Sequence, residues 1–532
     1  MELSSGIKDL YQRLSAIRRA AAVDEDVVRL EVDDMASKLA ILYERIRNTI
    51  DYKEDQLLRR FSLERNFKRR LVLDNLQPRI ARSVIEDVIR ARYLPNRTLP
   101  ETLVPEVERV IAKYQIFFKQ LNSRWQQAKN KRAYQDWIVG IMACEVDLIL
   151  APEKRYDALI EALYSYVKDR VKVKGQGLTE REKNIQLYIA IHKNLLLSDN
   201  QIISYHLLNL YFPDWLTADA KLISFIAEKL PSIYLGIQQH LNYPHHGRLT
   251  KALKKELAMF KVLKQMMLDR DGDLSEVLSD PQTFQDEARK TLQAINNRVR
   301  SKITRRSLRA IVYIFLTKMV LALALEYPYD LWVIGRINYL ALGTNIIFPP
   351  FLMFTVALSA RLPKVDSQTV ILDSLMTYVY DQPEEHTLII LRNGGGRSWP
   401  LMTGLYLVYT ILYCVTFGFL IYFLRQLGFN ILSIVIFIFF VTVVSFFALR
   451  IRQQAKEFNV VKERQGVISY VLNFFSLPII KLGQLLSSNM RRINIFIFLF
   501  DFILEAPFKL FVEAFEIWSG FLKEKREEIY KE

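Results

Sequence analysis

RVRSKITRRSLR (residues 298–309), followed directly by AIVYIFLTKMVLALAL (310–325), decides how this chain is read. Arg298, Arg300, Lys302, Arg305, Arg306 and Arg309 place six basic side chains and no acid in the first stretch, and the second carries Lys318 alone. A basic cluster set against an apolar run marks the cytoplasmic end of a membrane span, because lysine and arginine are retained on that side. The first span is therefore expected over 310–325.

Toward the C-terminus the same pattern recurs. Leu401–Leu424 and Ile431–Leu449 hold no charge at all, and about 20 apolar residues suffice to cross a hydrocarbon core. They give a third and a fourth span, with a second at 337–360 that Pro349-Pro350 interrupts. A mainly polar loop, 361–400, carries Arg361, Lys364, Arg392 and Arg397, and Arg450, Arg452, Lys456, Lys462 and Arg464 follow the fourth span. The two opposite connections hold one arginine each, Arg336 and Arg425. That asymmetry predicts both termini on the cytoplasmic side of a plasma or inner membrane.

Residues 1–300 are different in kind. They contain 49 of the 73 Lys+Arg and 40 of the 57 Asp+Glu. Their dominant period is helical, as in Leu10, Leu14 and Ile17, and 24–73 reads as one or two long helices with Val28, Leu30, Met35, Leu39, Leu42 and Ile46 on the apolar side. Breaks fall at Leu94-Pro95-Asn96 through Pro105, at Gly175-Gln176-Gly177 and at Asn242-Tyr243-Pro244, with further boundaries at Pro213, Pro231 and Pro281. The expected fold is mainly α: an N-terminal helical cytoplasmic domain (1–300, in lobes 1–174 and 178–300), a polytopic α-helical membrane domain (301–450), and interfacial amphipathic helices in the tail (451–532). In that tail Val467–Ile480 is too short to span and is broken by Pro478, while Phe511, Phe515, Trp518 and Leu522 form a helical stripe. A re-entrant hairpin is the alternative there.

The polar N-terminus, MELSSGIKDL, has no apolar region of a cleaved signal. The two cysteines, Cys144 and Cys414, exclude a disulfide framework. The net charge of +16 points to anionic partners. It is spread as +9 over the first 300 residues, too evenly for a nucleic-acid binder, which leaves the anionic inner leaflet. Arg305, Arg306, Arg309, Arg392, Arg397, Arg450 and Arg452 are the candidate anion or lipid contacts. The run Arg59, Arg60, Arg65, Lys68, Arg69, Arg70 reads as a solvated helix face.

Several stretches invite a chemical reading. Lys318 is an ionisable group in mid-span, which is a functional hypothesis by default. It either lines an ion or substrate path with Glu326 at its mouth, or pairs with a polar group inside the bundle, and the second is the plainer reading. Glu326-Tyr-Pro-Tyr-Asp330 reads as a short acidic turn leading to Arg336. Pro349 and Pro350 suggest a broken transporter helix, but no second interrupted span matches them, so a kink is favoured. Asn393-Gly394-Gly395-Gly396-Arg397 departs from the P-loop pattern and reads as a hinge. Thr369–Tyr380 and Thr387–Leu391 have a β-like composition that suggests a small hairpin beside Asp366, Asp373, Asp381 and His386. Neither these nor His240, His245 and His246 are spaced as metal ligands. Asp501 and Glu505 sit at i, i+4 in the apolar tail and read as the wet face of an interfacial helix. No catalytic group, cofactor or metal is expected. The function expected from this pattern is a membrane-anchored helical scaffold docking a cytoplasmic protein partner or forming homo-oligomers. A transporter or channel using Lys318 and the Pro349-Pro350 break is the rival, and a membrane-bound enzyme using 361–400 is the third reading.

Overall fold

The computed structural model describes residues 2–21, 28–32, 57–73, 78–124, 130–174, 178–270, 272–358, 365–380, 389–392, 399–455, 458–461 and 467–492. The tail residues Asp501, Glu505, Phe511, Phe515, Trp518 and Leu522, the glycine hinge, Arg397, Asp381 and His386 lie outside them. In chain order, α1 (Ser5–Ala21), α2 (Leu58–Leu73), α3 (Ala81–Arg90), α4 (Leu103–Arg124), α5 (Lys131–Leu150) and α6 (Lys154–Lys168) precede strand β1 (Val171–Lys174). Next come α7 (Glu180–Leu195), α8 (Asn200–Tyr211), α9 (Ala220–Glu228), α10 (Leu230–Leu241), α11 (His246–Ala252), α12 (Lys254–Asp269), α13 (Ser275–Leu278) and the long α14 (Pro281–Leu321). The series closes with α15 (Tyr339–Leu358), α16 (Val365–Val379), strand β2 (Ile389–Arg392), α17 (Trp399–Gln426), α18 (Ile431–Ala455) and α19 (Val467–Arg492). The fold is mainly helical, as its periodicity predicts.

The described residues divide into two compact units, a bundle unit (within Leu10–Lys168 and Leu178–Thr250) and an apolar-helix unit (within Met1–Asp9, Asp169–Gly177 and Lys251–Asn494). In the bundle unit α5 is central, since every residue from Trp137 to Val146 is buried and a helix apolar on all sides must be surrounded. Leu63, Phe67, Ile111, Phe117 and Trp215 pack into the same core. Helix starts are fixed locally: Thr179 and Glu182 form a capping box on α7, and Asp199 accepts from the amides of Gln201 and Ile202 at α8.

Two expectations fail in this unit. Arg29 and Leu30 are not helical: Arg29 bridges Pro100, and the Leu30 amide donates to the Leu99 carbonyl at 2.9 Å. Asn96 holds the segment in place by accepting from the Val32 amide at 3.1 Å. The basic run is not a solvated face either. Arg60 is 1% exposed and reaches both Glu64 and Asp199, Arg59 pairs with Asp147, Lys68 with Glu64 and Asp136, and Arg69 and Arg70 with Asp87. The arginines are matched to carboxylates on neighbouring elements, which a single-helix projection cannot reveal.

In the apolar-helix unit, three helices are long and apolar enough to cross a membrane: Pro281–Ile334, Met402–Gln426 and Ile431–Ile451. The second of the four expected spans corresponds to a shorter apolar stretch, Tyr339–Thr355, within α15. The first is part of a helix of 54 residues, about 80 Å long at 1.5 Å per residue. Asp280 caps its start, accepting from the Thr283 amide at 2.8 Å, and Gly335, at φ +74°, ends it.

The acidic turn expected at 326–330 is instead helical, flanked by π-helical turns at Ala322–Glu326 and Asp330–Ile334. A π turn moves the hydrogen-bond register by one residue, which accommodates a proline such as Pro328 that an α-helix interior would resist. Pro349 and Pro350 lie inside α15, and Pro478 lies inside α19, so the break expected at Pro478 is absent. α19 packs along α18 so closely that a Cβ on Gly483 would lie 1.9 Å from the Thr442 carbonyl oxygen.

The expected hairpin is also replaced. Residues 369–380 belong mostly to α16, whose Ile371, Leu372, Leu375, Tyr378 and Val379 are buried at helical rather than alternating spacing. Its β-branched and aromatic composition outweighed that spacing when read as a strand. β2 does form, but it pairs in parallel with β1, Val171 opposite Ile389 and Lys174 opposite Arg392. Far from being a loop, α16 gathers remote segments. Tyr378 packs against Phe260 of α12 with ring centres 4.9 Å apart, Tyr380 meets Phe284 of α14 edge-to-face, and Ser367 donates to Asn459 at 3.0 Å. The amide of Ser4 donates to the Val379 carbonyl at 2.8 Å.

Candidate functional site

The candidate site is a polar cluster where α14, α15 and α18 meet among apolar side chains. Lys318 and Glu326 are both 0% exposed, and Nζ donates to Oε1 at 2.8 Å. Eight residues apart in a regular α-helix, the two side chains would diverge by about 80°. The extra residue of the π turn at 322–326 removes most of that offset and turns Glu326 onto the face of Lys318. The ammonium also lies 4.9 Å from the centre of the Phe440 ring.

The carboxylate of Glu326 is held from two further helices. Asn345 Nδ2 of α15 and Ser433 Oγ of α18 both donate to Oε2, the second at 3.3 Å. Asn345 Nδ2 also approaches the Ser433 carbonyl at 3.3 Å. One turn on, Asp330 is 5% exposed and accepts from Asn430 Nδ2, and Asn430 Oδ1 in turn accepts from the Ser433 amide at 2.7 Å. Asn345 Oδ1 is buried and has no hydrogen-bond partner among the described residues. The neighbouring turn is tied back to the chain by a side-chain amide. Asn338 Nδ2 donates to the carbonyls of Leu427 and Gly428, each at 3.3 Å, and Gly428 sits at φ +79°.

Of the residues singled out in the sequence, Lys318 and Glu326 come together. Arg336 is exposed after Gly335, while Pro349 and Pro350 are buried within α15 away from these hydrogen bonds. Arg305, Arg309 and Arg450 are exposed, Arg306 is half-buried, Arg452 lies in α18, and Arg392 ends β2. Sequence reasoning missed Asp330, Asn345, Asn430 and Ser433. Their signal was available: Asn345 is a lone amide in an apolar run, and such groups are kept where they find partners.

The chain matches no protein-family model, no curated protein and no solved structure. Function must therefore be argued from these contacts alone.

The bundle unit holds a second buried polar network. Lys113 Nζ of α4 contacts Glu145 of α5 and donates to the Trp215 carbonyl at 2.9 Å. Tyr114 Oη donates to Glu145 Oε2 at 2.9 Å and accepts from Trp215 Nε1 at 3.3 Å. Burial lowers the Lys113 pKa and raises that of Glu145, against their mutual attraction. Every charged oxygen and nitrogen here is matched, which suits a specifying core contact.

In the same unit, the rings of His192 and His206 meet at a tilt of 47° with centres 4.7 Å apart. Burial pushes His206 down to about 4, and burial together with His206 pushes His192 well below its ordinary value. Both rings are neutral when folded and take up protons more readily when unfolded. Their contribution is complete above about pH 6.5 and is lost as pH falls toward 4. His206 alone should cost about 3 kcal/mol across that window at about 1.4 kcal/mol per unit. Denaturation of the purified protein at pH 7 and pH 4.5 should show the loss, reduced in His206→Leu; an unchanged acid slope in that variant would remove the histidine pair as its source.

Proposed function

We propose that this chain is a membrane-anchored helical scaffold, multi-pass in a plasma or inner membrane with both termini cytoplasmic, whose bundle unit docks a protein partner. The observation that carries the docking reading is a set of large apolar side chains left in solvent on four consecutive elements of the bundle. Leu210 on α8, Leu216 on the turn Pro213–Thr217, Phe225 on α9 and Leu235 on α10 are 49–61% exposed. They lie within 26 consecutive residues on a surface otherwise rich in charge, and exposed apolar groups that form a contiguous patch mark interaction sites. The three helices of membrane-crossing length and the basic residues flanking them support the anchored orientation.

A photo-crosslinking residue placed at Leu216 or Phe225 in intact cells is expected to trap one dominant protein adduct. Leu235→Glu should abolish that adduct while the protein stays in the membrane fraction. Recovery of lipid alone, or of nothing, would sink the docking reading. A second reading, a transporter or channel, is favoured by the charged pair Lys318–Glu326 inside the apolar helices. Unchanged flux and growth with Lys318→Leu would count against it.

A further inference from the structure

We infer that one face of α14 binds an anionic phospholipid, with the headgroup on Arg298, Lys302, Arg305 and Arg309 and an acyl chain on the apolar residues that follow. The inference rests on the membrane reading above and adds to it a ligand and a place. At about 100° per residue the four basic positions, spaced i, i+4, i+7 and i+11, fall within an arc of about 60°. All four are exposed. Asn296, Ile303 and Ser307 lie on the opposite side of the helix and are buried, so packing leaves the basic stripe outermost. Arg300 is exposed too, but it lies about half a turn away from the stripe.

The stripe is short of counter-charge. No Asp or Glu occurs from 288 to 325. Arg298, Arg305 and Arg309 form no ion pair among the described residues, and Arg305 Nε donates to the Ser301 carbonyl at 3.4 Å. In the bundle unit, by contrast, Arg59, Arg60, Arg69 and Arg70 all meet carboxylates. Like charges three or four residues apart repel along a helix, and a bound anion relieves that repulsion. Arginine presents a planar fork of donors that matches phosphate oxygens.

The second support is independent of charge and lies in what the same face becomes. Val312, Tyr313, Leu316 and Val320 continue it within an arc of about 100°, and they are 49–70% exposed. They cover about 12 Å of helix, most of the depth of one leaflet in a hydrocarbon core about 30 Å thick. Along one uninterrupted helix, the exposed face is basic, then aromatic at Tyr313, then aliphatic. That order matches a phospholipid from headgroup through interface to acyl chain. A nucleic acid or an acidic protein segment would engage the basic part and leave the apolar part uncovered. Arg305 and Arg309 lie within about 8 Å of the start of the apolar run, at the level of lipid phosphates. Lys302 and Arg298 rise to about 18 Å above it, where their long side chains serve charge carried further out on the headgroup.

The test uses the full-length chain purified in detergent, with phosphatidylglycerol or phosphatidylcholine of the same acyl chains added and bound lipid counted by native mass spectrometry. Phosphatidylglycerol is expected to bind tighter by on the order of 100-fold, at about fivefold per basic side chain, and the preference should shrink as salt is raised. Arg298→Gln, Arg305→Gln and Arg309→Gln together should erase the preference, while the variant melts as the wild type does in lipid-free detergent. Arg305→Gln alone should cost about fivefold, and Arg300→Gln, an equal loss of charge off the stripe, less than about twofold. Equal binding of the two lipids by the wild type overturns the site. Equal losses for Arg300→Gln and Arg305→Gln overturn it too, because net charge and not the stripe would then set the attraction. Glycerol phosphate, a headgroup without acyl chains, should compete only weakly; competition as strong as that of the whole lipid would make this a site for free anions and sink the lipid assignment. Fractionation separates these failures from that of the membrane reading: a chain released from membranes by alkaline carbonate refutes the anchor, whereas a retained chain without lipid preference refutes the site alone.

Discussion

Lys318→Met is expected to lower the unfolding free energy by about 3–5 kcal/mol, because it leaves the Glu326 carboxylate buried without its cation. The expectation depends on position. Both side chains are 0% exposed and joined at 2.8 Å, so water cannot replace the missing partner. Glu326→Gln in the same chain should recover most of the loss, since glutamine keeps an acceptor for Asn345 and Ser433 while removing the charge. A double-mutant cycle measured by thermal or chemical unfolding in detergent reads the coupling directly. If the two substitutions add without interaction, the Lys318–Glu326 pair is not energetically coupled.

Glu145→Leu should have an effect of similar size in the bundle unit, about 3–5 kcal/mol, for a related reason. It strands Lys113, which is 7% exposed, and takes the acceptor from Tyr114 Oη. At roughly 2–4 °C per kcal/mol for a domain of this size, melting should fall by about 10 °C. Glu145→Gln preserves acceptors for both neighbours and should lose clearly less, with Lys113→Met added to it losing no more. Equal losses for the leucine and glutamine variants would show that packing, not the ion pair, sets the cost.

The parts of this architecture that were legible in the sequence are those written as long runs. Uncharged stretches such as 401–424 and 431–449 announce apolar helices because charge in their interior is so costly. Lys318 stood out for the same reason. Glu326 was legible only as a polar group beside Lys318 and Asp330 only as part of a turn, because Glu326-Tyr-Pro-Tyr-Asp330 has the composition of a turn, and only the widened π register reconciles Pro328 with helix. The helix at Val365–Val379 was obscured by residues that favour strands when exposed on one face, yet its burial pattern follows the helical period. Arg60 has the look of a surface charge in its own helix because its carboxylate partner Asp199 lies 139 residues away. Such pairings are set by tertiary packing, so no local window contains them.

The contact of Ser4 with Tyr378 and Val379 has a consequence for how the chain is made. Its two halves are separated by 374 residues, so Ser4 stays without this partner during synthesis until two apolar helices have been made and 379 has emerged. The same holds for β1, which finds its neighbour only when 389–392 appears. Closure of this unit is therefore a late event in biogenesis, governed by a long-range search that slows folding. Until then the α16-facing side chains of α12 and α14, Phe260 and Phe284 among them, stay open to chaperones and to proteases.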